Sequence, residues 1–416
     1  MSDASANTPC IEEGSGVAPL RATPVTLSRG LATALTFTAL ASFLAASAAP
    51  TPLYHLYQED FGLTPVMLTV VFAAYAFGLL AALLTVGSLS DHLGRRPVVL
   101  AALTVNAVAM TVFLLANSVG LLIAARLIQG FGAGVAATAL GAAVVDLNQE
   151  RGPMLNAVAP FAGLTVGALG SAALITYAPA PEHTVFGVLL VATLLLLGAL
   201  WRMPETARAE LGPWASLVPR VHIPRAARKA LIAITPINIA GWTLGGFYFS
   251  LVPSLVRVAT GLTSPLVGGG VVASLTLTAA LSVLVVRQWS PRTTLAFATL
   301  VITLGVGIIL LGVNMQSVLV MIGGSLFTGF GFGATFSGNM KTLLPLALPD
   351  ERAGLLSAFY VQSYLAFSLM AIVAGLATPV IGLPATADAG GGLVVALALL
   401  SFVLTRLHGR RLAKPS

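Results

Sequence analysis

Lysine and arginine divide this chain more sharply than any other residue type. Between its polar breaks lie about twelve apolar runs, each near the roughly 20 residues that cross a hydrocarbon core. They are 31–50, 66–90, 97–116, 119–145, 154–177, 184–202, 229–252, 265–287, 293–313, 316–340, 353–378 and 390–406. Threaded through a bilayer with both ends on one side, they leave 19 of the 21 Lys and Arg residues on that side. The exceptions are Arg126, inside the fourth run, and Arg257, in a loop on the far side. No other placement of the termini gives this segregation. Basic residues in short loops are retained in the cytoplasm, so both termini are expected there and the far-side loops outside. The expected location is the plasma membrane, which in a bacterium is the inner membrane. The far-side loops are short: 51–65, 117–118, 178–183, 253–264, 314–315 and 379–389.

Composition excludes the soluble alternatives. Charged residues are 8% of the chain and hydrophobic ones 57%, against roughly 25% charged in a soluble domain. The net charge of +7 is spread over many short loops, without the basic stripe and interleaved aromatics of a nucleic-acid binder. A lone cysteine, Cys10, leaves no disulfide within one chain, and no metal site is expected. No GxxxxGK[ST] run is present, which argues against ATP drive. A membrane enzyme needs convergent acids, histidines or metal ligands. The only His near an acid cluster is His55, and the far-side loops are too short to hold a catalytic site, so no enzyme is expected.

The expected fold is all-α, with twelve membrane helices in two pseudo-symmetric six-helix bundles. Residues 1–28 carry no signal-peptide h-region and are expected to be a disordered cytoplasmic tail. The bundles are expected at 29–202 and 229–406, joined by a basic cytoplasmic linker at 203–228, with a second tail at 407–416. A repeat supports the two halves. Residues 127–134 read LIQGFGAG and 326–333 read LFTGFGFG, about half a chain apart, and Glu150-Arg151 is echoed by Glu351-Arg352. Repeated halves place a substrate site at their interface near the bilayer midplane. Gly130 and Gly134, with Gly329 and Gly333 in the second copy, are read as helix-packing positions, where a missing side chain lets helices approach.

Residues 87–96 read GSLSDHLGRR. Gly87 can admit a neighbouring helix, and Gly94 can take the positive φ of a tight turn. Asp91 can face the positive end of a helix dipole, and Arg95 can pair with Asp91 and with Asp146 at the end of the fourth run. The pattern, Gly87, Leu89, Asp91, Gly94, Arg95 and Arg96, resembles the GxLxDxxGRR loop between helices two and three of the major facilitator superfamily. The resemblance covers residues 30–406. It implies the twelve-helix fold and transport by alternating access. It also implies that Gly87, Asp91, Gly94, Arg95, Arg96 and Asp146 form a latch holding the halves closed on the cytoplasmic side, with Asp91 facing the start of helix eleven near Ala353. The competing reading is a solvated loop obeying the charge rule. The second-half counterpart, residues 287–292, has lost the acid and the glycines.

Arg126 lies seven residues into the fourth run, roughly 10 Å along the axis. A charge there is unfavourable by a few kcal/mol, so it should face a cavity or a partner. Gln129, Gly130 and Gly134 share its face. The stretch 126–130, RLIQG, resembles the RxxxG pattern of helix four in proton-driven drug antiporters, where the arginine is associated with proton movement. The competing reading is snorkelling to the outer headgroups. None of the 14 acids lies at the midplane, and the first run has none. Proton-carrier candidates therefore sit at its outer end, with His55 titrating nearest neutrality and Tyr54 beside it. A positive cavity without acids suits an anionic or neutral substrate better than a cation. In the fifth run Gly163, Gly167 and Gly170 partly match the glycine-rich fifth helix of antiporters. The expected Pro is Ala168, and close helix packing alone accounts for the glycines. In the superfamily, helices one, four, seven and ten line the cavity. This marks Asn238, Trp242 and Asn339 as substrate contacts, against hydrogen bonding between helices as the other reading.

The expected function is secondary active transport of small organic compounds, with proton-coupled efflux preferred. A symporter or uniporter of one metabolite, such as a sugar or organic anion, is the alternative. No cofactor is expected; a proton gradient would supply the drive. The expected partners are a small-molecule substrate and the lipid bilayer, with the protein a monomer and no nucleic acid bound.

Overall fold

The computed structural model describes residues 26–207, 222–348 and 351–412. Among these, all regular structure is helical: α1 (Arg29–Ala48), α2 (Tyr54–Phe61), α3 (Pro65–Val86), α4 (Leu89–Leu93), α5 (Arg95–Leu114), α6 (Val119–Leu147), α7 (Gly152–Tyr177), α8 (Pro181–Leu200), α9 (Arg225–Ser250), α10 (Val252–Thr260), α11 (Pro265–Val285), α12 (Pro291–Asn314), α13 (Val318–Leu343), α14 (Arg352–Ile381) and α15 (Leu383–Leu412). Twelve of them are long and apolar enough to cross a membrane.

Local chemistry sets their ends. Thr64, Ser118 and Ser290 accept from the backbone N–H three residues on, capping α3, α6 and α12. Proline opens α8 and α11, where its missing N–H is harmless. Gly62, Gly94, Gly261 and Gly382 take positive φ and turn the chain between helices.

Several expected boundaries are corrected. The second run stops at Val86 rather than 90, because a turn at 87–88 separates it from α4. The loops expected at 51–65 and 253–264 contain α2 and α10. In α10 Val252, Leu255, Val256 and Ala259 are buried at helical spacing, a pattern too short for a window of 20 residues to register. The loop expected at 379–389 shrinks to a break at Gly382, since the small residues of 384–392 dilute hydropathy without stopping a helix. Of the expected N-terminal tail, 1–25 lies outside the described residues, while Leu27 donates to Arg202 O at 3.0 Å and packs on the core of the first six long helices. The centre of the expected linker, 208–221, also lies outside them, as does 413–416. Helix α15 continues to Leu412, into the expected second tail.

In the first half α6 packs on α3, α5 and α1, and α7 packs on α1. In the second, α13 packs on α11 and α12, and α9 on α14 and α15. The glycine repeat explains the likeness. A Cβ on Gly130 would stand 2.0 Å from Tyr75 O of α3, and one on Gly329 would stand 2.0 Å from Leu275 O of α11. Gly134 and Gly333 meet the same helices one turn on, and Gly132 and Gly331 face α5 and α12. Each GFGxG copy therefore clamps one helix between two others in its own half.

The halves meet through α7 on α11 and α3 on α14. Thr165 and Thr276 hydroxyls lie 2.8 Å apart, and Thr51 donates to Phe249 O at 3.1 Å. Gly269 sits against Ala168 and Ala172, and Gly375 against Thr69. The Thr51, Gly269 and Gly375 contacts fall toward the end opposite the Arg-rich loops, so the halves are sealed there; the threonine pair lies mid-helix, and Phe161 of α7 meets Phe332 and Phe336 of α13 at 5.6 and 5.9 Å.

Candidate functional site

At the sealed end, α6 directs Arg126 inward, where it is 1% exposed. Its Nη1 donates to Ser47 O at 3.0 Å and to Gln129 Oε1 at 2.8 Å, and its Nη2 donates to the Tyr54 hydroxyl. Gln129, one turn along the same face, donates to Ala46 O at 2.9 Å. The guanidinium also lies 5.8 Å from the Tyr54 ring centroid and 5.5 Å from that of Tyr75, within cation–π range. Arg126 therefore neither snorkels to headgroups nor faces acyl chains. It joins α6 to the last turn of α1, to α2 and to α3. Its partners are all uncharged; both ion pairs among the described residues belong to Arg95.

The structure brings Arg126, Gln129 and Tyr54 together as one network. His55 is not among Arg126's partners. Its Nδ1 donates to Pro52 O at 2.9 Å. Burial, and then the charge of Arg257, hold its pKa below the usual imidazole value. Tyr75 was missed by sequence reading. Its only signal there is a phenol within an apolar span.

At the basic end the latch residues form a tight cluster. Arg95 pairs with Asp91, reaches Asp146 Oδ2 at 3.2 Å and donates to Ser90 Oγ at 2.7 Å. Gly94 has φ +96°. The cluster has a member that sequence reading placed only in the linker. Glu205 accepts from the backbone N–H groups of Arg95 at 2.7 Å, Arg96 at 3.1 Å, Thr206 at 3.0 Å and Ala207 at 3.1 Å. A carboxylate at the N-terminus of α5 meets unpaired donors and the positive end of its dipole. Thr206 adds a bond to Asp146 at 3.2 Å. The hydrogen bond of Asp91 goes to Arg95 on its own loop. Gly87 is corrected: the atoms nearest a Cβ there are those of Leu83 in its own helix, not a neighbouring one.

In the second half, Asn238 and Asn339 are fully buried. Asn339 donates to Asn238 Oδ1 at 3.1 Å, Asn238 donates to Ser363 Oγ at 3.0 Å, and Gln362 donates to Thr235 Oγ1 at 2.9 Å. These bonds tie α9, α13 and α14 together, which is the interhelical reading of both asparagines. Trp242 is half-buried, 4.8 Å from Tyr364 and 6.1 Å from Phe367 by ring centroids. Lys341 donates to Val286 O and Trp289 O. A cation on the end of α13 thus holds the 286–289 turn, where the first half uses Asp146 to hold Arg95. Gly163 and Gly167 admit the carbonyls of Ala41 and Ala45 of α1, but Gly170 has nothing within 4 Å and faces outward. The packing role expected of Gly170 is therefore corrected. A side chain there would point away from α1.

A family model described as the Major Facilitator Superfamily matches residues 31–371. The multidrug transporter MdfA of Yersinia pestis bv. Antiqua (strain Angola) is 37% identical over 127 residues, 29% of this chain and 30% of that protein. The multidrug resistance protein MdtL of Shewanella sp. (strain ANA-3) is 25% identical over 203 residues, 48% of this chain and 50% of that protein. The chain thus spans half or less of the length of these curated relatives. Among solved structures, the human organic anion transporter MFSD10 superposes with a TM-score of 0.66 at 18% identity, over 90% of this chain and 100% of that one. The proton:xylose symporter XylE gives 0.67 at 14% identity, over 89% and 94%. At these identities the structural likeness is one of fold.

Proposed function

The chain belongs to the major facilitator superfamily, whose members are transporters rather than enzymes, and from that premise we propose that it exports small organic compounds in exchange for protons. It is a multi-pass membrane transporter. The observation that carries the export reading is the Arg126–Gln129–Tyr54 network, a fixed positive charge enclosed between helices of the first half. The family's drug-antiporter pattern associates this position with proton movement. The stretches shared with MdfA and MdtL, both multidrug transporters, support the same reading.

In this proposal the basic end faces the cytoplasm, as retention of Lys and Arg requires, and the protein works as a monomer in the plasma membrane without a cofactor. The sealed end is then the outer face, and the conformation is one closed to the outside. The Asp91–Arg95–Asp146 cluster acts as the cytoplasmic latch when the halves rock the other way. A second reading, symport or uniport of one metabolite, is favoured by the lack of any acid deep in a span.

Purified protein in liposomes tests the reading. Compound movement should follow an imposed pH gradient, ignore added ATP and fall at least tenfold in Arg126→Ala. Movement that persists unchanged after a protonophore collapses the gradient would refute proton exchange and favour uniport.

A further inference from the structure

Two side chains in contact, Arg126 and Tyr75, each carry a buried donor without a partner. Arginine has five N–H donors. In Arg126, Nη1 and Nη2 bond to Ser47 O, Gln129 and Tyr54, while Nε is buried with no hydrogen bond among the described residues. The Tyr75 ring lies against the same guanidinium, and its hydroxyl is likewise buried without a partner. The neighbouring Ser47 hydroxyl donates to Leu44 O at 2.8 Å and makes no hydrogen bond of good distance and angle to the Tyr75 hydroxyl. A buried cation is strongly unfavourable without a counter-charge, and no carboxylate reaches this one. What the site lacks is a negatively charged acceptor able to take two donors, the hydrogen-bonding capacity of a carboxylate.

The surface next to this pair is aromatic. Tyr364 packs on the cluster that contains Tyr75. Its ring lies 4.8 Å from Trp242 and 6.1 Å from Phe367, and Phe367 lies 4.9 Å from Phe72 of the opposite half. Trp242, Tyr364 and Phe367 are half-buried, which leaves ring surface for a flat guest.

We propose that the transported compound is an organic anion with a flat apolar body, its charged head taking the unpartnered donors of Arg126 and Tyr75 and its body against Trp242, Tyr364 and Phe367. This rests on the transport reading above and names its substrate class. Cations are rejected for two reasons. The fixed charge repels them, and no acid deep in a span compensates.

The test is a binding assay on detergent-purified protein, with tritiated 1-naphthoate as ligand. Uncharged 1-naphthamide, cationic 1-naphthylmethylammonium and chloride serve as competitors. Naphthoate should bind at least tenfold more tightly than the amide, the ammonium should not compete, and chloride should displace only weakly. Arg126→Gln should lose tenfold or more for naphthoate and leave the amide unchanged. Tyr75→Phe, which keeps the ring and its packing, should lose severalfold. Absent naphthoate binding, equal affinity for the amide or ammonium, or full binding by both variants overturns the proposal. Chloride displacing at equal potency would replace the organic class with a small-anion site. No gradient exists in detergent, so a failure here is separate from a failure of proton exchange.

Discussion

Glu205 satisfies four backbone N–H groups with one carboxylate, and Gly94 is what lets it do so. A Cβ at Gly94 would stand 2.6 Å from Glu205 Oε2, and the φ of +96° is strained for any other residue. Removing a side-chain acceptor from a helix N-terminus costs about 0.5–2 kcal/mol. Glu205→Ala should therefore lower the unfolding midpoint in detergent measurably, while Glu205→Gln, which keeps an acceptor, should lower it less. Equal midpoints for wild type and Glu205→Ala would show that solvent replaces the carboxylate. At this scale the sequence was legible where a charge stood in an unfavourable place, as with Arg126, or in a dense pattern, as with Asp91 and Arg95. Glu205 lies 110 residues from Arg95. Nothing local to a polar linker distinguishes a carboxylate that reaches back to α5 from one in water. Tyr75 was hidden for the same reason: its neighbours come from three other helices.

Helices carry the next set of consequences, because the glycines of α6 and α13 sit at equivalent crossings. A Cβ at Gly130 or Gly329 would meet a backbone carbonyl at 2.0 Å, which only a shift of a whole helix can relieve. Overpacking of this kind costs about 1–3 kcal/mol, sometimes more. Gly130→Val and Gly329→Val should both reduce the yield of monodisperse protein, to a similar degree, in fluorescence-detected size exclusion. Gly170→Ala meets open space and should be neutral or stabilise by up to about 1 kcal/mol through helix propensity. A damaging Gly170→Ala would contradict the outward placement. Asn238 gives a second element-scale test. Its bonds to Ser363 and Asn339 join three helices, and such bonds in membranes are worth about 0.6–2 kcal/mol. Asn238→Leu should lower thermal stability without changing the apparent KM for transport; a rise in KM at unchanged stability would restore the substrate-contact reading. The long helices were readable from hydropathy because a spanning helix is a run of 20 residues with few charges. Helices α2 and α10 were not, since eight or nine amphipathic residues beside a membrane span look like a polar loop.

The whole molecule is a pair of six-helix bodies, and its sequence declared this through repetition and charge rather than through any site. What the sequence could not state is which end is shut, because that depends on contacts between residues of different halves. Beside the ring contacts of Phe161 with Phe332 and Phe336 and of Phe72 with Phe367, two crossings of small residues carry them. At one, Gly269 of α11 meets Ala168 and Ala172 of α7; at the other, Gly375 of α14 meets Thr69 of α3 at 2.5 Å from a built Cβ. Within the first crossing, seven residues along α11 from Gly269, Thr276 is fully buried and bonded to Thr165. Gly375→Leu adds a branched side chain where none fits, so the second crossing cannot close. The balance should then shift toward opening at the end opposite the basic loops. A cysteine at Thr276, in a Cys10→Ser background, reports that shift. In intact cells, labelling of Thr276→Cys by an impermeant maleimide should rise severalfold when Gly375→Leu is added, because only opening of the seam exposes it. Unchanged labelling would mean that the seal lies elsewhere. Labelling that rises only in inside-out vesicles would instead place the sealed end in the cytoplasm and reverse the orientation argued from arginine and lysine.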